Sequence, residues 1–304
     1  MLEKIVVVTK KTPLEELVER YNTREQARFY IEHLGQDFGL YEAQHETYQR
    51  ACQQLKDELP RGVRTQWIER ETLPMFGFGD NDTVVALGPD GLVVNLAKYL
   101  RGQTVVAFNP DPRNIDGVLL PFRVADSPMV WKRLASGDLP IQNVTMARAR
   151  TADGQQLLAV NDLFLGAASH VAARYKIEYR GRAEAQISSG VIVSTGAGST
   201  GWRRSIVCGA AKLCGENTRE ENYRFAPDAR KLEFCVREPF ESLASGADII
   251  AGEIKRNETL DLVSQMPQGG VIFGDGVTED FIEWNAGVEV NVSVADEVLR
   301  LARG

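Results

Sequence analysis

The sequence predicts an α/β domain with a parallel sheet followed by a β-rich domain. Three observations carry this. Strand and helix signals alternate through the first third, short β-like runs between turn signals fill most of the rest, and 304 residues make about two domains at roughly 150 each.

The elements follow in order. Ile5–Thr9 is an apolar, β-branched run, and Thr12-Pro13 supplies an N-cap and a first-turn proline for helical segments reaching about Leu59. Val63–Glu69 and Thr83–Leu87 read as strands, Leu92–Leu100 as a helix and Thr104–Phe108 as a fourth strand closed by Asn109-Pro110-Asp111-Pro112. Strands separated by helices imply βαβ units, hence a Rossmann-like domain. After a short helix near Met129–Ala135 the pattern turns β-rich, with runs at Gln142–Arg150, Gln156–Val160, Ala172–Tyr179, Gly190–Ser194, Lys231–Val236 and Phe281–Trp284. Asp153-Gly154 and Asp275-Gly276 punctuate them as turns. Trp202–Leu213 reads as a helix, and Val294–Ala302 as a C-terminal helix that closes back on the first domain. The expected division is 1–122, with 295–304 packing back on it, and a β-sandwich-like domain over 123–294.

Lys plus Arg is 35 and Asp plus Glu is 42, a net charge of −7. A mildly acidic body argues against a nucleic-acid binder with a broad basic face. Apolar runs such as Ile5–Val8 fall far short of the ~20 residues that cross a bilayer, so no membrane partner is expected. The N-terminus lacks a signal-peptide pattern, and the four cysteines (Cys52, Cys208, Cys214, Cys235) lack CxxC spacing. A cytoplasmic chain with reduced thiols and no metal ligands of its own is the expectation.

Three segments carry candidate chemistry. In Val84–Leu92 a buried strand runs into Gly88-Pro89-Asp90-Gly91 and then a helix. Ligands of open α/β sheets bind beyond the carboxyl ends of strands, which suits Asp90. The same residues also suit a plain Pro-Asp-Gly turn. In Gly190–Trp202 a strand is followed by Ser194-Thr195-Gly196-Ala197-Gly198-Ser199-Thr200-Gly201 and a helix, without the Lys of a Walker loop. Small residues allow close backbone approach, hydroxyls donate, and the helix start favours an anion. A flexible connection is the competing reading. Val160–Gly166 places Asn161 and Asp162 in an apolar strand-like stretch; alternation turns one of them inward, unless the pair forms an Asx turn.

In this order the three segments resemble the ATP-dependent NAD kinase family, which carries a strand-GGDGT-helix turn, an Asn-Glu or Asn-Asp pair and a segment like DGVxVSTPTGSTAY. Phe108–Pro112 is similar to the family's strand-plus-Asn turn. Cys235–Phe240, Gly274-Asp275-Gly276, Asp296–Arg300 and the opening Val-Val-Val-Thr-Lys resemble its mitochondrial-type branch. The resemblance covers most of residues 1–304. There are departures: GGDGT is Gly88-Pro89-Asp90-Gly91-Leu92 here, Pro-Thr is Gly196-Ala197, the Asp before Gly-Val-Ile is Ser189, and the Tyr is Trp202. Pro89 has no N–H to offer a phosphate and fixes φ near −65°.

The resemblance implies transfer of the ATP γ-phosphate, with Mg²⁺ arriving on the nucleotide, to the 2′-hydroxyl of the NAD adenosine ribose, giving NADP. It implies Asp90 as general base, Gly91 at the dinucleotide, Asn161 and Asp162 on the acceptor's adenosine portion, and Thr200 and Gly201 lining that pocket. Gly88, Asn109, Ser189, Gly198 and Ser199 are nucleotide-binding positions by the same match. Arg203 and Arg204 could face phosphates or lie on solvated surface. A homo-oligomer, dimer or tetramer, is implied as well. Two alternatives stand beside this: a non-catalytic or impaired dinucleotide-binding protein, suggested by Pro89 and Leu92, and a lipid or sugar kinase of the same superfamily.

Overall fold

The computed structural model describes residues 2–304, without the side chain of Glu279. The chain divides into two compact units, one reaching Gln142 and rejoined by Arg300–Gly304, the other Asn143–Leu299.

In the first unit β1 (Lys4–Thr9) leads to α1 (Pro13–Tyr21), α2 (Arg24–His33) and α3 (Phe38–Asp57), then β2 (Arg64–Glu69), β3 (Asp82–Leu87), α4 (Asp90–Ala97), β4 (Thr104–Asn109), the short β5 (Phe122–Arg123) and α5 (Ser127–Ser136). The sheet order is β2-β1-β3-β4, all parallel, with β5 and Arg300–Leu301 pairing in parallel along β4. Ile5–Val8, Val84–Leu87 and Val105–Phe108 are wholly buried. Such unbroken apolar runs are what a parallel sheet covered on both faces requires. Thr12 caps α1 as expected, in a capping box with Glu15 and with Pro13 opening the helix. Leu14, Ala27, Ile31 and Phe38 give the α1–α3 segment a small core of its own. The division between units falls after Gln142 rather than at 122, because Val130 and Trp131 of α5 pack with Phe108 and Phe122 in the first unit's core.

The remaining strands are β6 (Ile141–Thr151), β7 (Gln156–Ala159), β8 (Asp162–Ala167), β9 (Ala173–Tyr179), β10 (Arg182–Ser188) and β11 (Val191–Ser194). After α6 (Trp202–Leu213) come β12 (Lys231–Val236), β13 (Ala251–Lys255), β14 (Leu260–Ser264), β15 (Gly270–Gly274), β16 (Val277–Glu283) and β17 (Glu289–Ala302). One antiparallel sheet of the second unit runs β13-β12-β11-β8-β15-β16, and another runs β10-β9-β14-β17. Their inner faces share one core: Leu163, Leu165, Val191, Val193 and Phe234 from the first sheet meet Tyr175, Ile177, Leu262, Val290 and Val292 from the second, with Trp284 fully buried among them. This is a β-sandwich. Phe164 and Ile192, the intervening residues of β8 and β11, point to the outer face, where Trp202 and Ile206 of α6 cover them. Both strands therefore read as continuous apolar runs despite an antiparallel sheet.

The expected C-terminal helix over Val294–Ala302 is instead the end of strand β17. Val290, Val292 and Val294 are buried while Glu289 and Asn291 are exposed, a period of two, and Arg300 and Leu301 pair with Thr104 and Val105. Among the described residues no helix is long and apolar enough to cross a membrane.

Candidate functional site

In the first unit the candidate residues gather at the carboxyl ends of the parallel strands. Gly88 leaves β3 with its N–H on the Phe108 carbonyl at 3.5 Å. A side chain at Gly88 would place Cβ 2.8 Å from Leu92 Cδ2, so this glycine seats the first turn of α4. Pro89 is the N-cap, with φ −73°. That angle is native to proline, and its missing N–H is one that a helix start does not bond internally. Asp90 is the first residue of α4, half-buried, with Oδ1 accepting from the Leu119 N–H at 2.6 Å. Oδ2 has no partner among the described residues. Gly91 is exposed, with open space where a Cβ would stand. Asn109 is buried and committed to its own loop: Nδ2 donates to the Ile115 carbonyl at 2.9 Å, and Oδ1 accepts from the Asp111 N–H at 2.9 Å. It shapes the loop that delivers Leu119 to Asp90.

Two cavities of about 400 and 190 Å³ open beside these strand ends and share Lys10, Lys11 and Tyr48. The smaller also touches Pro89 and Asp111. Tyr48 ties the floor together, donating to the Leu87 carbonyl at 2.9 Å and accepting from the Lys10 N–H at 3.1 Å. Sequence reasoning missed these residues because α3 joins the ends of β1 and β3 only in three dimensions.

In the second unit the Asn161-Asp162 pair and the 194–201 loop are brought together. The Thr195 N–H donates to the Asn161 carbonyl at 2.9 Å, and the Thr195 hydroxyl donates to the Val160 carbonyl. A Cβ on Gly198 would lie 2.2 Å from the Asn161 carbonyl oxygen, so only glycine allows this approach. The Ser194 hydroxyl donates to Asp162 Oδ1. Burial, opposed by that hydrogen bond and reinforced by the nearby Asp275 carboxylate, pushes the Asp162 carboxyl up to about 7. Both residues are half-buried, but Asp162 turns its carboxyl inward to Ser194, whereas Asn161 keeps its amide free of any hydrogen bond among the described residues.

Within the loop the hydroxyls divide by role. Ser199 is fully buried and donates to the Gly196 carbonyl at 2.7 Å, whereas Thr200 is half-buried and Gly201 exposed. Ser189 stands at the opposite end of β11, its N–H on the Arg237 carbonyl at 2.9 Å. Arg203 is turned inward to Glu233 and the Tyr223 carbonyl, and the Arg204 guanidinium lies 5.7 Å from the Tyr223 ring centre. The Arg203 charge is spent holding α6 to β12, while Arg204 is exposed. Among the described residues no group of three or more His, Cys, Asp or Glu side chains is placed to hold a metal ion.

No family model and no curated protein sequence matches the chain. Solved structures do. Yeast NADH kinase, in complex with NADH, aligns over 100% of this chain and 84% of its own at 15% identity and a TM-score of 0.61. An NAD kinase from Archaeoglobus fulgidus, in complex with ATP, aligns over 98% of this chain and 92% of its own at 13% identity and a TM-score of 0.58. The fold is that of the NAD kinases. At such identities the likeness is one of backbone architecture.

Proposed function

We propose that the chain is an NAD kinase-like phosphotransferase that moves the γ-phosphoryl group of ATP to the 2′-hydroxyl of the adenosine ribose of NAD or NADH. The observation that carries the reading is Asp90: it opens α4 immediately beyond β3, in a fold shared along the whole chain with an NADH kinase. Phosphoryl transfer asks a protein mainly for positioning and charge stabilisation. Asp90 is held from one side through Oδ1 by the Leu119 N–H, which leaves Oδ2 to accept the ribose hydroxyl proton. Gly91, without a side chain, lets the dinucleotide come close. The free amide of Asn161 serves the acceptor's adenosine portion, while the Asp162 carboxyl, tied to the Ser194 hydroxyl, braces the strand beneath it, and Thr200 and Gly201 line the adjoining surface. Lys10 and Lys11 line both cavities, paired with Glu16 at 3.7 Å and Glu19 at 2.8 Å, partners they would exchange for the donor's phosphates. Mg²⁺ enters as part of the ATP substrate.

Purified protein with ATP, Mg²⁺ and NAD or NADH should produce NADP or NADPH. Absence of product with both acceptors would refute the reading. Pro89 favours one rival, a dinucleotide binder without turnover, because this turn supplies no N–H at that position. The rival predicts that NAD raises the melting temperature while ATP and Mg²⁺ yield no product.

A further inference from the structure

Gly274-Asp275-Gly276 joins β15 to β16, with Gly274 paired to Val277. Asp275 and Gly276 have φ of +59° and +72°, the left-handed conformations that a two-residue hairpin turn needs. Asp-Gly and Asn-Gly are the pairs best suited to it. Turn geometry thus accounts for the residue types, but not for what the Asp275 carboxylate does. Oδ2 accepts from the Val160 N–H at 3.1 Å, and Oδ1 accepts from those of Asn161 and Asp162 at 2.7 and 3.3 Å. The Asp275 N–H in turn donates to the Asp162 carbonyl at 2.8 Å. Three consecutive main-chain amides converge on one carboxylate from more than 110 residues away in sequence. Those amides lead from the end of β7 into β8, and the carbonyl of Asn161 is the one that Gly198 and Thr195 press against. The backbone bearing Asn161 is therefore clamped between the 194–201 loop and the hairpin carboxylate.

We infer that Asp275 is a positioning residue for dinucleotide binding: its carboxylate fixes the main chain of Val160–Asp162 in the conformation that presents the Asn161 amide. The inference rests on the NAD-binding reading given above. Hydrogen bonds from N–H groups to an ionised acceptor are about twice as strong as neutral ones, so the clamp depends on the charge as well as on the turn.

Asp275→Asn separates the two. Asn-Gly serves the hairpin as well as Asp-Gly, but its amide carries no charge and sets an NH₂ against main-chain N–H donors. Calorimetry with NAD in the absence of ATP should read a Kd about tenfold weaker than wild type, and KM for NAD should rise in step while KM for ATP holds. Amide hydrogen exchange at residues 160–162 should accelerate about tenfold, with the melting temperature nearly preserved. An unaltered Kd for NAD overturns the inference and leaves the functional reading standing. Equal rises in both KM values together with a large fall in melting temperature mark a purely structural hairpin, and also overturn it. A wild-type protein that binds neither NAD nor NADH overturns the functional reading itself, and this role with it.

Discussion

Asp162 carries a cost that pH can switch, and replacing it with Asn exposes the size of that cost. Its carboxyl sits near 7 in the folded protein against 3.8 for a free aspartate, chiefly through burial. A folded-state value above the unfolded one means that the stabilising contribution is complete below about 3.8 and lost as pH rises through about 7. Ionising the buried group by pH 8 therefore costs about 4 kcal/mol, at 1.36 kcal/mol per unit. Asn is neutral at every pH and its carbonyl can still accept from the Ser194 hydroxyl. Asp162→Asn should accordingly melt roughly 10 °C above wild type at pH 8. The gap should shrink progressively below pH 7 and nearly close at pH 4. Thermal melts of both proteins at half-unit intervals from pH 4 to 8 measure it. A difference that stays flat across this range would refute the reasoning, because it would mean that Asp162 ionises normally or that Ser194 accounts for the whole effect.

Three further outcomes follow from the same geometry. Asp90→Asn keeps the acceptor for the Leu119 N–H but cannot take a proton, so kcat for NADP formation should fall roughly 10²–10⁴-fold with NAD affinity nearly unchanged, and near-wild-type turnover would defeat the mechanism. Gly198→Ala forces a Cβ to within 2.2 Å of the Asn161 carbonyl and should destabilise the protein by about 3 kcal/mol or more, read by denaturant unfolding. Pro89→Gly restores an N–H at the start of α4 and should raise kcat while leaving KM for NAD in place; an unchanged or lower rate would mean that the turn works with proline as it stands.

The legible parts of the fold were those with local punctuation. Thr12-Pro13 marks the start of α1, the apolar runs of β1, β3 and β4 mark a covered parallel sheet, and Trp202–Leu213 is the helix seen. The C-terminal helix failed for a physical reason. In β17 the alternation breaks at Val294-Ala295, both buried, and Asp296-Glu297, both exposed, so Val294–Ala302 has helix-forming composition without a visible period of two. At the site, the sequence pointed to the loops but not to their internal wiring. Ser199, Arg203 and Asn109 are residue types that bind phosphates and nucleotides, yet their polar atoms are occupied within the protein. Asp275 went unassigned because its partners are main-chain amides far away in the chain, which no side-chain pattern encodes.

The stacking at the start of α6 gives the candidate ligand loop an optical reporter. Trp202 directly follows Gly201, lies 5.7 Å from the Phe164 ring at 12° to its plane, and has the Arg237 guanidinium 5.3 Å from its own ring centre. Indole emission responds to nearby charge and to solvent access, so a ligand that shifts Thr200 or Gly201 should alter fluorescence without any label. Of the other three tryptophans, Trp131 and Trp284 are buried in cores and Trp67 sits on β2. A Trp67→Phe background would therefore leave Trp202 as the one partly exposed indole, and titrations of NAD, NADH and ATP could be followed at the loop itself in real time.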